Sequence, residues 1–148
     1  MTIEVTTANI SAHPVVIYQL LQVKHFETRT ASARISVSFL AMLEQQFPIT
    51  DSKAIELRYP SRFAEQLNVH VNHLNRALKE TLNKTTTEII SLRVLHESKL
   101  LLVKTDWDIA EIAYALGFSE PTHFNNFFKK RMHVSPSNFR HSQTMQSD

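Results

Sequence analysis

The sequence predicts an all-α protein: two helix-turn-helix subdomains joined by a long linker helix, homeodomain-like in plan, with about seven helices. Three observations carry this. Glycine occurs once in 148 residues, at Gly117, whereas a fold with many tight β-turns draws on several. Apolar residues recur at helical spacing through most of the chain. A segment beginning near Ala64 also repeats about 50 residues later.

The first third is the least regular. Residues 1–12 are polar and threonine-rich, and residues 2–7 alternate as a short strand or an extended tail does. Residues 14–26 fit a helix or a buried strand, because β-branched Val15, Val16 and Ile17 oppose the helix-forming Leu20, Leu21 and Gln22. Residues 27–33 read as linker. From Arg34 to Phe47 the spacing of Ile35, Phe39, Met42, Leu43 and Phe47 predicts a helix, ended by Pro48. Residues 49–60 read as a polar connector closed by Pro60.

The remaining elements are short and well punctuated. A helix is expected from about Ser61 to Leu67 and another from about Val71 to Leu82, stopped at Asn83. The linker helix spans about 86–104, with Ile89, Ile90, Arg93, Leu100 and Leu101 on its inner face and Leu92 and Leu95 nearby. Asp106 or Asp108 caps the next helix, from Ile109 to Leu116, and Gly117 stops it. Glu120-Pro121 opens a helix to about Met132, since proline suits a first turn. A last short helix runs from Ser135-Pro136 to Arg140, and residues 143–148 form a polar, frayed tail.

Composition narrows the function classes. Hydrophobic residues make up 43% and charged residues 20%, values that support a packed core. No apolar run approaches the roughly 18 residues of a membrane span, and the N-terminus lacks the pattern of a secretory signal. With no cysteine, disulfides, thiolate zinc sites and cysteine nucleophiles are excluded, and a reducing, cytoplasmic setting fits. One glycine is too few for phosphate-cradling loops or dinucleotide fingerprints, so no cofactor is expected. The net charge is only +2 with a pI near 9.0. Its distribution says more than its sum: Lys129, Lys130, Arg131 and Arg140 fall between residues 122 and 140 with no acid among them.

The repeat has the parts of a helix-turn-helix. Small residues (Ala64, Ala113) let two helices cross closely. Four residues on stands one that tolerates positive φ (Asn68, Gly117), followed by an apolar plug (Val69, Phe118). The second helix of each copy is apolar on one side (Leu74, Leu78; Phe124, Phe128) and carries short polar groups on the other. Such groups suit a groove-reading helix, because Asn pairs with adenine, Arg with guanine, and Thr reaches either. A linker of about 20 residues is about 30 Å long, close to the roughly 34 Å between successive major grooves on one face of B-DNA.

The segment from about Arg34 to Arg140 resembles the DNA-binding domain of the AraC/XylS family of bacterial transcription regulators. The second half carries most of the likeness: Ile109-Ala110-Glu111-Ile112-Ala113, Gly117-Phe118, Phe124, Phe128-Lys129-Lys130, Ser135-Pro136 and Phe139-Arg140. Leu74-Asn75-Arg76, Leu78-Lys79 and Lys84-Thr85 fit in the first half. There are departures. Asn83 and His133 stand where the family usually has glycine, and Asn126 where many members carry arginine. Most members also have a large N-terminal effector domain, for which residues 1–33 are too short. The resemblance therefore implies a short regulator without a sensor, or a truncated chain whose residues 1–33 are a tail or remnant.

Repeat and resemblance together give the expected site. Asn72, Asn75 and Arg76 on the first recognition helix, and Thr122, His123, Asn125 and Asn126 on the second, are candidate base contacts. Lys79, Lys84, Lys129, Lys130 and Arg140 are candidate phosphate contacts. The expected partner is double-stranded DNA, with RNA polymerase a further candidate. Two reading heads in one chain allow a monomer or weak dimer.

Plainer readings stand beside these. Surface polarity alone accounts for a polar helix face, and surface lysines usually do nothing. His70 and His73 have a spacing that could bind a metal, but no third ligand accompanies them and a helix start explains them, so no metal site is expected. Trp107 and Phe118, Phe124, Phe127 and Phe128 read as packing residues. Glu97, Asp106, Asp108 and Glu111 read as caps and surface pairs, so no catalytic residues and no enzyme are expected. An architectural DNA binder, an enzyme bearing this module and a purely protein-binding helical domain remain the alternatives. The modest charge argues against the first, and the missing cysteine removes the usual alkyl acceptor from the second.

Overall fold

The computed structural model describes residues 30–51 and 53–146. The strand or tail expected over residues 1–12 and the segment 14–26 lie outside them. Among the described residues there are seven helices and no strand: α1 (Ala31–Glu44), α2 (Pro60–Gln66), α3 (Val71–Leu82), α4 (Thr86–Lys104), α5 (Ile109–Ala115), α6 (Pro121–Met132) and α7 (Pro136–Gln146). They fall into two compact units. The first comprises residues 30–47 with Leu57–Arg93, the second Pro48–Glu56 with residues 94–146. Helix α4 therefore contributes its first half to one unit and its second half to the other.

In the first unit α1 packs along α3, and α2 packs against α3. Phe39 meets Phe63 edge-on, with ring centroids 4.9 Å apart, and Leu40, Leu43, Leu74, Leu78 and Ile90 close the core around them. Each side chain of this size stabilises by roughly 1.5–3 kcal/mol when fully buried. Two polar contacts flank that apolar seam. Ser36 and Thr81 share a hydrogen bond of 2.7 Å, and the Ser32 hydroxyl donates to Glu80 at 2.6 Å.

Helix α1 begins earlier than the sequence suggested. Thr30 caps it by accepting from the Ala33 N–H at 3.0 Å, so residues 31–33 are helical and not linker. It also ends at Glu44, short of Phe47. Proline at 48 pushes the residue before it out of helical geometry, and the chain tightens through Gln46 N to Leu43 O at 3.3 Å. Phe47 then lies beneath the Arg93 guanidinium at 4.0 Å from the ring centroid. Arg93 is buried, and its Nε donates to Glu44 Oε1 at 2.8 Å. The ion pair explains how a guanidinium sits on the inner face of α4.

The connector is not a loose polar loop. Ile49 is buried, and its N–H donates to Glu97 Oε1 at 2.8 Å. The Ile55 N–H donates to the Ala115 carbonyl at 3.1 Å. Glu97 is thus a buried acceptor, only 1% exposed, and not the surface carboxylate its charge suggested. Pro60 does not close the connector but opens α2 as its first residue, where a missing N–H costs nothing.

In the second unit α5 packs on α6, and α6 on α7. Phe124 and Phe128 are fully buried and form an aromatic row with Phe118 and Phe139, with centroid separations of 5.4–5.9 Å. Helix α7 runs on to Gln146 and is not a frayed tail after Arg140; Ser142 and Thr144 hydroxyls bond back to the Phe139 and Arg140 carbonyls. No helix among the described residues is long and apolar enough to cross a membrane.

Candidate nucleic-acid interface

The two turns are built by the same bonds. After α2 the Val69 N–H donates to the Ala64 carbonyl at 3.0 Å and the Asn68 N–H to Glu65 at 3.1 Å. After α5 the Phe118 N–H donates to Ala113 at 3.0 Å and the Gly117 N–H to Tyr114 at 3.0 Å. This pair of bonds is a Schellman motif, which requires left-handed backbone at the pivot. Asn68 (φ 54°) and Gly117 (φ 85°) supply it. Ala64 and Ala113 are buried at the crossings, 3% and 0% exposed.

The following helices start differently but stop alike. Helix α3 is capped by the His70 imidazole, whose Nδ1 accepts from the Asn72 N–H at 3.2 Å. That bond is what the histidine does at the helix start. Helix α6 starts on Pro121, and α5 before it carries a full capping box between Asp108 and Glu111. Of the two aspartates considered, Asp108 is the cap. Asn83 (φ 56°) closes α3 and His133 (φ 64°) closes α6, both left-handed.

Each second helix turns a polar stripe outward. On α3, Asn72, Arg76, Lys79 and Asn83 are exposed at helical spacing while Leu74, Ala77 and Leu78 are buried. On α6, Thr122, Asn126, Lys129, Lys130 and His133 are exposed over buried Phe124 and Phe128. The Asn72 and Asn126 amide groups make no hydrogen bond to the described residues. His123 is exposed and shares a bond of 3.3 Å with the Ser119 hydroxyl. Lys79 leans on the Asn83 carbonyl at 3.5 Å, and Lys84 is half-buried.

Three candidates are committed elsewhere. Asn75 Oδ1 accepts from both the N–H and the hydroxyl of Thr86, at 3.1 and 2.7 Å. Asn125 Nδ2 donates to the Pro121 carbonyl at 3.1 Å. Bidentate adenine recognition needs both ends of the amide, so neither residue is set up for it. Arg140 does not project as a phosphate-binding cation. Its Nε donates to Leu102 O at 2.9 Å, its Nη1 to Trp107 O at 2.6 Å and its Nη2 to Thr105 O at 3.4 Å. Its charge is spent on part-buried carbonyls in the last turn of α4 and just beyond it.

One cation of the basic segment joins the candidate contacts only through its geometry. Arg131 is exposed, stacks on Phe127 at 3.9 Å from the ring centroid and donates to the Phe127 carbonyl at 3.1 Å. The Phe-x-x-x-Arg spacing on one helix face was the available signal.

A short helix, a tight left-handed turn and a second helix with its polar stripe outward, present twice and joined through α4, define a tandem helix-turn-helix protein. The model of the helix-turn-helix domain family matches residues 63–142, more than half of the chain. The chain belongs to this family and is of the AraC/XylS type that its sequence resembles. The HTH-type transcriptional activator RhaS of Salmonella arizonae is 31% identical over 77 residues, covering 52% of this chain and 28% of the relative. The chain thus spans less than a third of that relative's length. Two solved structures share the fold. One is an AraC-type regulator from Chromobacterium violaceum, with a TM-score of 0.58, 20% identity and coverage of 76% of this chain and 94% of that one. The other is the DNA-binding domain of AdpA, a global transcriptional factor solved with a target DNA. Its TM-score is 0.60, with 15% identity and coverage of 78% and 94%.

Proposed function

We propose that the chain is a sequence-specific regulator of transcription that inserts α3 and α6 into successive major grooves of duplex DNA. The observation that carries this is the doubled outward stripe, each copy held by the same Schellman turn and offering short polar groups with a flanking cation. Asn72 and Arg76 read bases in one half-site, and Thr122, His123 and Asn126 in the other. Arg76 suits guanine, and Asn72 and Asn126 suit adenine. Lys79, Lys84, Lys129, Lys130 and Arg131 meet phosphates and set the register. From α6 through α7 no acidic residue opposes them.

The likeness to a transcriptional activator supports activation, with RNA polymerase as the protein partner, action in the cytoplasm and no catalytic step. Two heads in one chain support binding as a monomer or weak dimer. Selection of bound duplexes from a random pool, followed by titration at several salt concentrations, tests the reading. The expected result is one preferred site of roughly 15–20 base pairs and a steep salt dependence. Equal affinity for every duplex would overturn it.

A further inference from the structure

Asn75 and Thr86 are tied at the place where the first reading helix meets the start of α4. Thr86 is fully buried. Its backbone N–H must donate, so the atom facing it is the amide oxygen of Asn75, and the Thr86 hydroxyl donates to that same oxygen. Asn75 is half-buried and lies between buried Leu74 and exposed Arg76. A bond from the middle of α3 to the first turn of α4 restrains rotation of α3 about its own axis. Rotation by one residue swings a side chain through about 100°, so this restraint sets where Arg76 points.

The second unit shows the complement. Asn125 holds the matching position on α6, but the residue matching Thr86 is Pro136, which has no N–H to give. Asn125 turns back to its own helix at Pro121. Helix α6 is instead seated on α7 by rings, Phe128 on Phe139 at 5.4 Å.

We infer that Asn75 is a positioning residue for specificity: through Thr86 it fixes the bearing of Arg76, and it does not read a base itself. This rests on the DNA-reading role proposed above. It separates two meanings of an asparagine on a recognition helix by which end of the amide is engaged.

The test uses the full chain, a duplex selected from a random pool by the unaltered chain, and a random-sequence duplex of equal length. Asn75→Ala is expected to lower the ratio of specific to random affinity roughly tenfold, the size of about one lost buried hydrogen bond. Asn75→Asp keeps the acceptor and loses the donor that adenine requires. It is expected to retain the ratio while weakening both duplexes equally through its charge. Thr86→Val is expected to move the ratio in the same direction as Asn75→Ala, by less. In an Arg76→Ala background, Asn75→Ala is expected to add less than it costs alone, the remainder acting through Asn72 on the same helix. Exchange of the Thr86 amide proton, read by NMR without DNA, should quicken in Asn75→Ala and stay protected in Asn75→Asp.

Direct base reading overturns the inference. It would show as Asn75→Asp no better than Asn75→Ala, a changed preference at one base pair, and Thr86→Val without effect. A purely structural role also overturns it, seen as equal loss on both duplexes or unchanged Thr86 exchange. Failure of the parent reading is distinct: the unaltered chain then prefers no duplex, while the exchange result stands by itself.

Discussion

Arg140 on α7 reaches the last turn of α4 and the segment after it, where its Nε donates to the Leu102 carbonyl at 2.9 Å and its Nη1 to the Trp107 carbonyl at 2.6 Å. A residue that looks from the sequence like one more basic contact is the clamp holding the last helix to the linker. Arg140→Ala is therefore expected to destabilise the second unit by roughly 2–3 kcal/mol, as for a charge-assisted bond whose acceptors are left bare. Denaturant unfolding measures that loss. The slope of log affinity against log salt should not change; a slope reduced by about one would return Arg140 to the phosphate-binding set.

Lys130 is the opposite case, exposed and engaging no described residue. Lys130→Ala should leave the melting temperature near its starting value and reduce the salt slope by about one, across specific and random duplexes alike. The two substitutions remove one positive charge each from the same basic segment, and a salt titration of both separates clamp from contact.

Arg76 and Asn126 occupy matching positions on α3 and α6, and both are exposed. Arg76→Ala is expected to cost about 1–3 kcal/mol and relax the preference at one half-site, and Asn126→Ala to cost less. Sequencing of the sites bound by each variant checks this. Relaxation of both half-sites by a single substitution would contradict the assignment of one head to each.

His133 closes α6 at φ 64°, a conformation in which a β-carbon is penalised and glycine is not. His133→Gly is expected to stabilise the chain by up to about 1 kcal/mol. Asn83→Gly should gain less, because asparagine tolerates the left-handed region best among residues with a side chain. Chemical denaturation of both variants reads the difference.

At the start of α4, Glu88 Oε2 accepts from the Thr85 N–H at 2.7 Å, and the Thr85 hydroxyl accepts from the Glu88 N–H at 3.2 Å. The Thr85 backbone bond holds the Glu88 carboxyl below the usual carboxylate range, ahead of the opposing desolvation, with the Thr85 hydroxyl, Lys79 and Lys84 adding to the lowering. Because the folded pKa is depressed, this contribution is present above the unfolded value near 4.5 and is lost as pH falls through the folded one. Glu88→Gln should flatten the acid limb of the stability profile below that pH and leave its neutral side nearly level.

Helix periodicity and punctuation were legible because each signal is local. Pro121 and the left-handed pivots Asn68 and Gly117 act within one turn of themselves, and the repeat supplied the tertiary logic that periodicity lacks; Pro60, equally local, reads as an end to the connector although it is the first residue of α2. Side-chain destinations across long separations were not legible. Nothing near Asn75 announces Thr86, nothing near Arg140 announces the Leu102 carbonyl, and the polar composition of the connector hid the bonds that the Ile49 and Ile55 N–H groups make. Glu97 is the plainest instance. A glutamate on a helix reads as solvent-facing until the Ile49 N–H, 48 residues away in sequence, is seen to need it.

The path of the connector has a further consequence. Pro48–Glu56 belongs to the second unit, yet it lies in sequence between α1 and α2 of the first. Neither half can be excised as one uninterrupted stretch of polypeptide. A fragment starting at residue 94 would leave the Glu97 carboxylate and the Ala115 carbonyl without the groups they hold, and the family match from residue 63 leaves the same piece behind. The two helix-turn-helix units are interleaved along the sequence, so an exchange of the second unit for another would have to carry nine residues, Pro48–Glu56, from between two helices of the first.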